Sequence, residues 1–118
     1  NLAQTVNVLQ SILLTEGDQL VKTPTYHVFD LFKGHQDGTA VYCYTDAAKA
    51  AEEYRAPMVS SSASIKENVI TITLANCSLT KETAIECDVC HFAAKHATAQ
   101  ILTAAIHAFN SVQPSKLL

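Results

Sequence analysis

Residues 59–75 read VSSSASIKENVITITLA and decide the fold class of this chain. Residues 68–75 alternate strictly between two kinds of side chain, which is the period of a β-strand. The two sets are Ile70, Ile72 and Leu74 on one side and Val69, Thr71 and Thr73 on the other. The serine-rich stretch 59–66 is a second candidate strand directly before it. These two segments predict a domain that is mainly β.

Further strand patterns lie on both sides of this pair. Residues 39–44 are β-branched and aromatic, as strands prefer. Residues 82–89 alternate as well, with Cys87 among the inward positions, and two more strands are predicted at 97–104 and 106–112. Between residues 47 and 56 the sequence AAKAAEEYRA predicts a loop or one or two helical turns. Short strands separated by polar turns are typical of an antiparallel β-sandwich.

Before residue 35 the pattern is helical instead. Four apolar residues fall at steps of four, three and four, which places them on one helix face: Leu2, Val6, Leu9 and Leu13. The sequence TEGD at 15–18 then predicts a helix stop, with Gly17 able to adopt a left-handed conformation. Thr23-Pro24 predicts a second helix start, with Thr23 as the cap. Two helices thus account for residues 1–34.

The composition excludes several classes of protein. The 118 residues hold 8 Lys+Arg against 11 Asp+Glu, and this net charge of −3 argues against a nucleic-acid binder. Hydrophobic residues make up 48%, so the chain is globular rather than disordered. No stretch approaches the ~18 apolar residues of a membrane span. No secretory signal is visible, and Leu2 already belongs to a periodic run, so we expect a piece of a longer cytoplasmic protein.

Four cysteines allow several interpretations. We favour reduced thiols, because the apolar content can build a core without disulfides. The sequence CDVCH at 87–91 matches the attachment signature of a c-type haem, and its two thiols could also be half of a zinc site with His91 and His96. A catalytic Cys–His pair is a third interpretation. We favour ordinary buried or half-buried thiols over all three, with no metal and no cofactor.

Other catalytic patterns are weak. Glu52-Glu53 belongs to a polar stretch, and the acidic residues of 82–89 share the outward face of one predicted strand. With three ungrouped glycines there is no phosphate-binding loop. Composition and spacing alone predict a small, mainly β domain with a helical lead-in.

Several segments of the sequence resemble those of a known family. They are NLAQTVNVLQ at 1–10, LTEGD at 14–18, TPTYHVF at 23–29 and HQD at 35–37, followed more loosely by ECDV at 86–89, ILT at 101–103 and AFNSV at 108–112. Together they resemble the C-terminal region of the α-L-arabinofuranosidases of glycoside hydrolase family 51. The resemblance implies that residues 1–35 are the helical end of a catalytic (β/α)8 barrel and that residues 36–118 form a jelly-roll-like β-sandwich.

The resemblance also divides the functional residues. It implies that the two catalytic glutamates lie upstream, so no residue of this chain is assigned to catalysis, although the parent protein is expected to be a glycoside hydrolase. Gln4 matches a family glutamine that reaches the bound arabinofuranose, a task that suits an amide because it both donates and accepts. The alternative is that Gln4 only flanks a helix start. We expect Asn7 to satisfy backbone groups or to face solvent.

The expected parent enzyme releases terminal arabinofuranosyl residues, with retention, from arabinan or arabinoxylan oligosaccharides. The implied partners are an upstream catalytic barrel in the same polypeptide, the oligosaccharide and further copies in a homo-oligomer. The rival interpretations are a stand-alone carbohydrate-binding sandwich and an assembly subunit. Against the binding module stands the lack of Trp and the wide spacing of the four Tyr and four Phe.

Overall fold

The computed structural model describes residues 4–9, 11–46 and 57–111, and the chain divides into two compact units. The first unit draws on Asn1–Lys33 and Ile101–Leu118, and the second on Gly34–Gln100. The described residues form antiparallel sheets and one α-helix, which confirms the mainly β prediction.

The first unit is built around a β-hairpin. Strand β1, Leu13–Glu16, pairs antiparallel with β2, Gln19–Lys22. The turn between them has only two residues, and its first residue, Gly17, has φ +56°. Glycine accepts this left-handed conformation at little cost, as tight hairpin turns require. A single parallel bridge joins Val6 to Leu13 of β1.

Helix α1, Pro24–Phe32, begins as the sequence predicts. The Thr23 side chain accepts a hydrogen bond from the Tyr26 amide, and Pro24 occupies the first turn, where its missing N–H costs nothing. The helix ends where the Lys33 amide donates to the Phe29 carbonyl, and a short 3₁₀ turn, Lys33–His35, follows.

The predicted first helix is wrong. Its C-terminal residue Leu13 opens strand β1, and the described residues 4–9 hold an isolated bridge and turns instead of a helix. Asn7 has φ +52°, a left-handed value that interrupts any helix at this point. The helix-like spacing of the apolar side chains occurs here in a loop that folds back on a hairpin. The TEGD sequence therefore forms the hairpin turn and does not end a helix.

The second unit contains a three-stranded antiparallel sheet in the order β3-β4-β5. Its strands are β3, Thr39–Ala40, β4, Val59–Lys66, and β5, Val69–Asn76. The pairing of β4 with β5 runs from Val59↔Asn76 to Lys66↔Val69, so both predicted strands are confirmed within one residue. The strand predicted at 39–44 is shorter, although the Val41 amide continues it by donating to the Ala63 carbonyl at 3.1 Å.

The two faces of the β4–β5 hairpin differ in chemistry, as the alternation predicts. Opposed residues lie on the same face of a sheet, so the register separates an apolar face from a hydroxyl face. The mainly apolar face holds Val59, Ser61, Ala63, Ile65, Ile70, Ile72, Leu74 and Asn76, and the mainly hydroxyl face holds Ser60, Ser62, Ser64, Lys66, Val69, Thr71, Thr73 and Ala75. Val59 is fully buried, but Ile72 and Leu74 stay about two-fifths exposed. The described apolar face is therefore only partly covered.

The strands predicted at 82–89, 97–104 and 106–112 do not form in the described part of the chain, which ends at Ser111. Residues 77–111 hold no regular element, so Cys87 is exposed rather than inward. In a hairpin such as β4–β5 each strand pairs with its neighbour in sequence. The later segments would need strands that are distant in sequence, and an alternating pattern alone does not provide such a partner. The predicted second layer of a jelly roll stays a prediction, and the loop predicted at 47–56 lies outside the described residues.

Candidate functional site

Gln4 lies exposed at the start of the described chain. Its side-chain Nε2 donates to the Val6 carbonyl at 2.6 Å and, at the limit of a hydrogen bond, to the Asn7 carbonyl at 3.5 Å. Within residues 4–9, 11–46 and 57–111, no partner is found for its Oε1 atom. The amide is thus anchored locally on its donor side and offers an acceptor to the surroundings.

Asn7 holds the segment after Gln4 against strand β1. Its backbone N–H donates to the Leu13 carbonyl at 3.1 Å. Its side chain pairs with Thr15 at both atoms: Oδ1 accepts from the Thr15 amide at 2.8 Å, and Nδ2 donates to Thr15 Oγ1 at 2.8 Å and to the Thr15 carbonyl at 3.3 Å. The expectation that Asn7 satisfies backbone groups is confirmed. The segment has a defined shape without being a helix or a strand.

Thr23 joins this region to helix α1 in a buried position. Its hydroxyl donates to the carbonyls of Ser11 and Ile12 at 2.7 and 3.0 Å and accepts from the Tyr26 amide at 3.4 Å. Ser11 is 2% exposed, and its own hydroxyl donates to the Leu13 carbonyl at 2.9 Å. One side chain therefore caps the helix and holds the backbone at Ser11 and Ile12. The sequence indicates the cap but not the contact across twelve residues.

A second polar cluster surrounds His35 in the other unit. The imidazole meets two hydroxyls, Nδ1 with Ser64 Oγ at 2.7 Å and Nε2 with Thr73 Oγ1 at 3.1 Å. Thr73 Oγ1 in turn lies 2.7 Å from Ser62 Oγ. Gly38 packs so closely that a Cβ atom there would lie 3.1 Å from Ser64 Oγ. Sequence reasoning finds His35 only as part of the HQD phrase, since its partners are 29 and 38 residues away.

The His35 cluster is built for structure rather than for nucleophilic catalysis. A serine–histidine pair becomes a nucleophile and base when the hydroxyl is accessible and a third group, usually a carboxylate, orients the imidazole. Here Ser64 is 5% exposed, and the second nitrogen of His35 meets the Thr73 hydroxyl. The cluster therefore ties the chain before β3 to the hydroxyl face of β4 and β5.

The CDVCH sequence does not assemble a site in the structure. All four cysteines are free and exposed, so the predicted buried or half-buried thiols are wrong. The physical reason is that residues 82–89 do not form the strand whose inward face would have covered Cys87. His91 has φ +60° and lies in a turn. In the described ranges, no three His, Cys, Asp or Glu side chains lie together as metal ligands would.

One ion pair shifts the titration of its members. On helix α1 and its C-cap, Lys33 Nζ lies 2.6 Å from Asp30 Oδ1. This hydrogen bond holds the pKa of the Asp30 carboxyl below its ordinary value and raises the pKa of Lys33. Both side chains are exposed, so solvent screens the pair.

Comparison with known proteins places these features in a family. The family model described as the α-L-arabinofuranosidase C-terminal domain matches residues 1–116. The chain belongs to this family. It is also similar to an intracellular exo-α-L-arabinofuranosidase from Bacteroides ovatus, with 41% identity over 107 residues, which cover 88% of this chain and 21% of that protein. The arabinofuranosidase C-terminal domain thus spans about a fifth of the length of this curated relative.

A solved structure gives a further likeness. The GH51 arabinofuranosidase from Xanthomonas axonopodis pv. citri is 40% identical, with a TM-score of 0.48, over 63% of this chain and 15% of that one. The family model and the curated relative confirm the resemblance drawn from the sequence phrases. No helix in the described part of this C-terminal domain is long and apolar enough to cross a membrane.

Proposed function

We propose that this domain is the C-terminal accessory part of a retaining α-L-arabinofuranosidase. The whole enzyme would release terminal arabinofuranosyl residues from arabinan or arabinoxylan oligosaccharides in the cytoplasm. The observation that carries the proposal is the family match over residues 1–116. The relative from Bacteroides ovatus, named as an intracellular exo-α-L-arabinofuranosidase, supports both the activity and the compartment.

In this proposal the domain does not perform the chemistry. Retaining hydrolysis requires two carboxyl groups about 5 Å apart, one as acid/base and one as nucleophile. We assign both to a catalytic barrel upstream in the same polypeptide. The domain braces that barrel and contributes contacts to a homo-oligomer. The half-exposed apolar side chains of Ile72 and Leu74 favour such a role, since exposed apolar surface of this kind marks interaction sites.

Gln4 is the residue of this domain that we propose to contact the sugar. Its Nε2 atom is held by the Val6 carbonyl, so the side chain is oriented before a ligand arrives. Its Oε1 atom can accept a hydrogen bond from a sugar hydroxyl. The pairing of Asn7 with Thr15 fixes the backbone three residues further on. Together these contacts give the amide the orientation that a binding residue needs.

The test uses the full-length enzyme and a small aryl arabinofuranoside. Replacing Gln4→Ala should lower kcat/KM about tenfold to a hundredfold, the value of one or two hydrogen bonds of 1.4 kcal/mol each. Gln19→Ala is the matched control, because it removes the same exposed amide from strand β2. Equal kinetics for the two variants would contradict the role of Gln4. An enzyme that hydrolyses no arabinofuranoside would contradict the proposed activity as a whole.

A further inference from the structure

The segment after strand β3 continues along β4 in an extended form. The Val41 amide donates to the Ala63 carbonyl at 3.1 Å. Two residues on, Cys43 Sγ donates to Ser61 Oγ at 3.3 Å, and the Thr45 hydroxyl bonds to the same oxygen. Since Cys43 and Thr45 both reach Ser61, alternate residues of the segment point to the same side.

The intervening tyrosines lie on the opposite side of this segment. Tyr42 is 90% exposed and Tyr44 is 73% exposed. On β4 the residues that flank Ser61 are Ser60 and Ser62, and both are exposed on the hydroxyl face. Alternation therefore brings two tyrosine rings and two serine hydroxyls to one side of the sheet edge. We refer to Tyr42, Tyr44, Ser60 and Ser62 as the tyrosine–serine surface.

We propose that the tyrosine–serine surface binds a neutral saccharide chain made of pentose sugars. A sugar ring presents apolar C–H groups on its faces and hydroxyls at its rim. The exposed tyrosine rings match the faces, since tyrosine combines a flat apolar body with a polar tip. The Ser60 hydroxyl can donate to or accept from the rim, and the Ser62 hydroxyl keeps acceptor capacity beside its 2.7 Å bond to Thr73 Oγ1. The choice of a pentose polymer rests on the proposed function, whereas the choice of a carbohydrate rests on the surface.

The charge of the surface favours a neutral ligand. Across residues 41–46 and 57–64, Asp46 is the one charged residue, and Lys66, further along the same face of β4, lies 3.9 Å from the Asp37 carboxylate. A nucleic acid or another polyanion would need basic side chains here. The two exposed aromatic rings can stack on a ligand that has apolar faces. An uncharged saccharide chain meets both conditions.

Affinity electrophoresis of the full-length enzyme tests the proposal, with arabinan or arabinoxylan embedded in a native gel. We expect the wild type to be retarded relative to a polysaccharide-free gel. In the double variant Tyr42→Ala/Tyr44→Ala the Kd should rise at least tenfold. Tyr42→Phe/Tyr44→Phe keeps the rings and should bind within about threefold of the wild type. Phe109→Ala is the matched control, because it removes an aromatic ring that is 71% exposed in the other unit.

The outcomes separate this proposal from the proposed function. Hydrolysis of a small aryl arabinofuranoside reports on the enzyme, and retardation reports on the surface. A wild type that is not retarded, or a double alanine variant that is retarded equally, overturns the proposal. The proposal is also overturned if the enzyme forms a dimer that is lost in the double alanine variant and is unaffected by sugar. A second copy of the chain would then cover the surface.

Nitration tests the proposal on the wild type, so the result does not depend on whether a variant folds. Tetranitromethane should modify Tyr42 and Tyr44, and an arabino-oligosaccharide should protect both against it. Tyr26, which is half-buried near Lys22, serves as the internal reference. Equal nitration of Tyr42 and Tyr44 with and without the oligosaccharide overturns the proposal.

Discussion

The hydroxyl of Thr23 provides the sharpest test of how the first unit is held together. Replacement by valine keeps the shape of the side chain and removes only the hydroxyl. The loss of the helix cap costs about 1 kcal/mol. The buried Ser11 carbonyl loses the hydroxyl that donates to it at 2.7 Å, which costs about 1–3 kcal/mol. The Ile12 carbonyl keeps its bond from the Thr23 amide, so it adds little.

The expected total for Thr23→Val is about 2–4 kcal/mol in the free energy of unfolding. For a domain of this size, this lowers Tm by roughly 10 °C. Urea unfolding followed by far-UV circular dichroism measures the difference. Thr23→Ser is the control, because it retains the hydroxyl and should cost below about 1 kcal/mol. If the valine and serine variants lose equal stability, the hydroxyl does not carry the contacts that we assign to it.

Three further substitutions test other contacts, each by thermal or urea unfolding. Gly17→Ala should destabilise by about 1 kcal/mol through its φ of +56° alone, as no atom crowds the site, and Gly17→Asn should cost less. His35→Ala should cost about 1–3 kcal/mol, because Ser64 Oγ loses its partner, and combining it with Ser64→Ala should cost less than the sum. Asp30→Asn should lower Tm at pH 6 and leave it unchanged at pH 2. The lowered pKa of Asp30 means that its contribution is present above the ordinary carboxyl pKa and is lost as the pH falls through the folded value. A Tm difference that persists at pH 2 would rule out the ion pair with Lys33 as the cause.

The elements that the sequence predicts correctly are those whose signals are local. Thr23-Pro24 specifies a helix start because both the capping bond and the fixed φ act within four residues. The alternation of residues 69–76 specifies a strand, and its partner β4 lies only a two-residue turn away. In both cases the residues that decide the structure are also the residues that form it.

The wrong predictions share a dependence on distant partners. The periodicity of Val6, Leu9 and Leu13 suits a helix until Asn7 takes a left-handed φ and pairs with Thr15, eight residues away. No spacing rule contains that contact. The alternation of residues 82–89 meets the opposite problem, because its pattern suits a strand but no partner pairs with it among the described residues. A periodic pattern indicates which side chains a segment could bury as a helix or strand. Whether the segment forms that element depends on a partner that pairs with it.

The same dependence on distant partners explains why the sequence identifies Gln4 as a candidate residue but does not predict the direction of its side chain. In the predicted helix, the direction of the Gln4 side chain would have been set by its position on the helix. In the structure its side chain is held by the hydrogen bond that Nε2 donates to the Val6 carbonyl, and the segment is held by the two hydrogen bonds between the Asn7 side chain and Thr15. These side-chain bonds act together with backbone bonds, from the Asn7 amide to the Leu13 carbonyl and from the Leu13 amide to the Thr5 carbonyl. The contacts of Gln4 thus occupy its Nε2 atom and leave Oε1 able to accept a hydrogen bond, which suits the contact with a sugar hydroxyl that we propose for it.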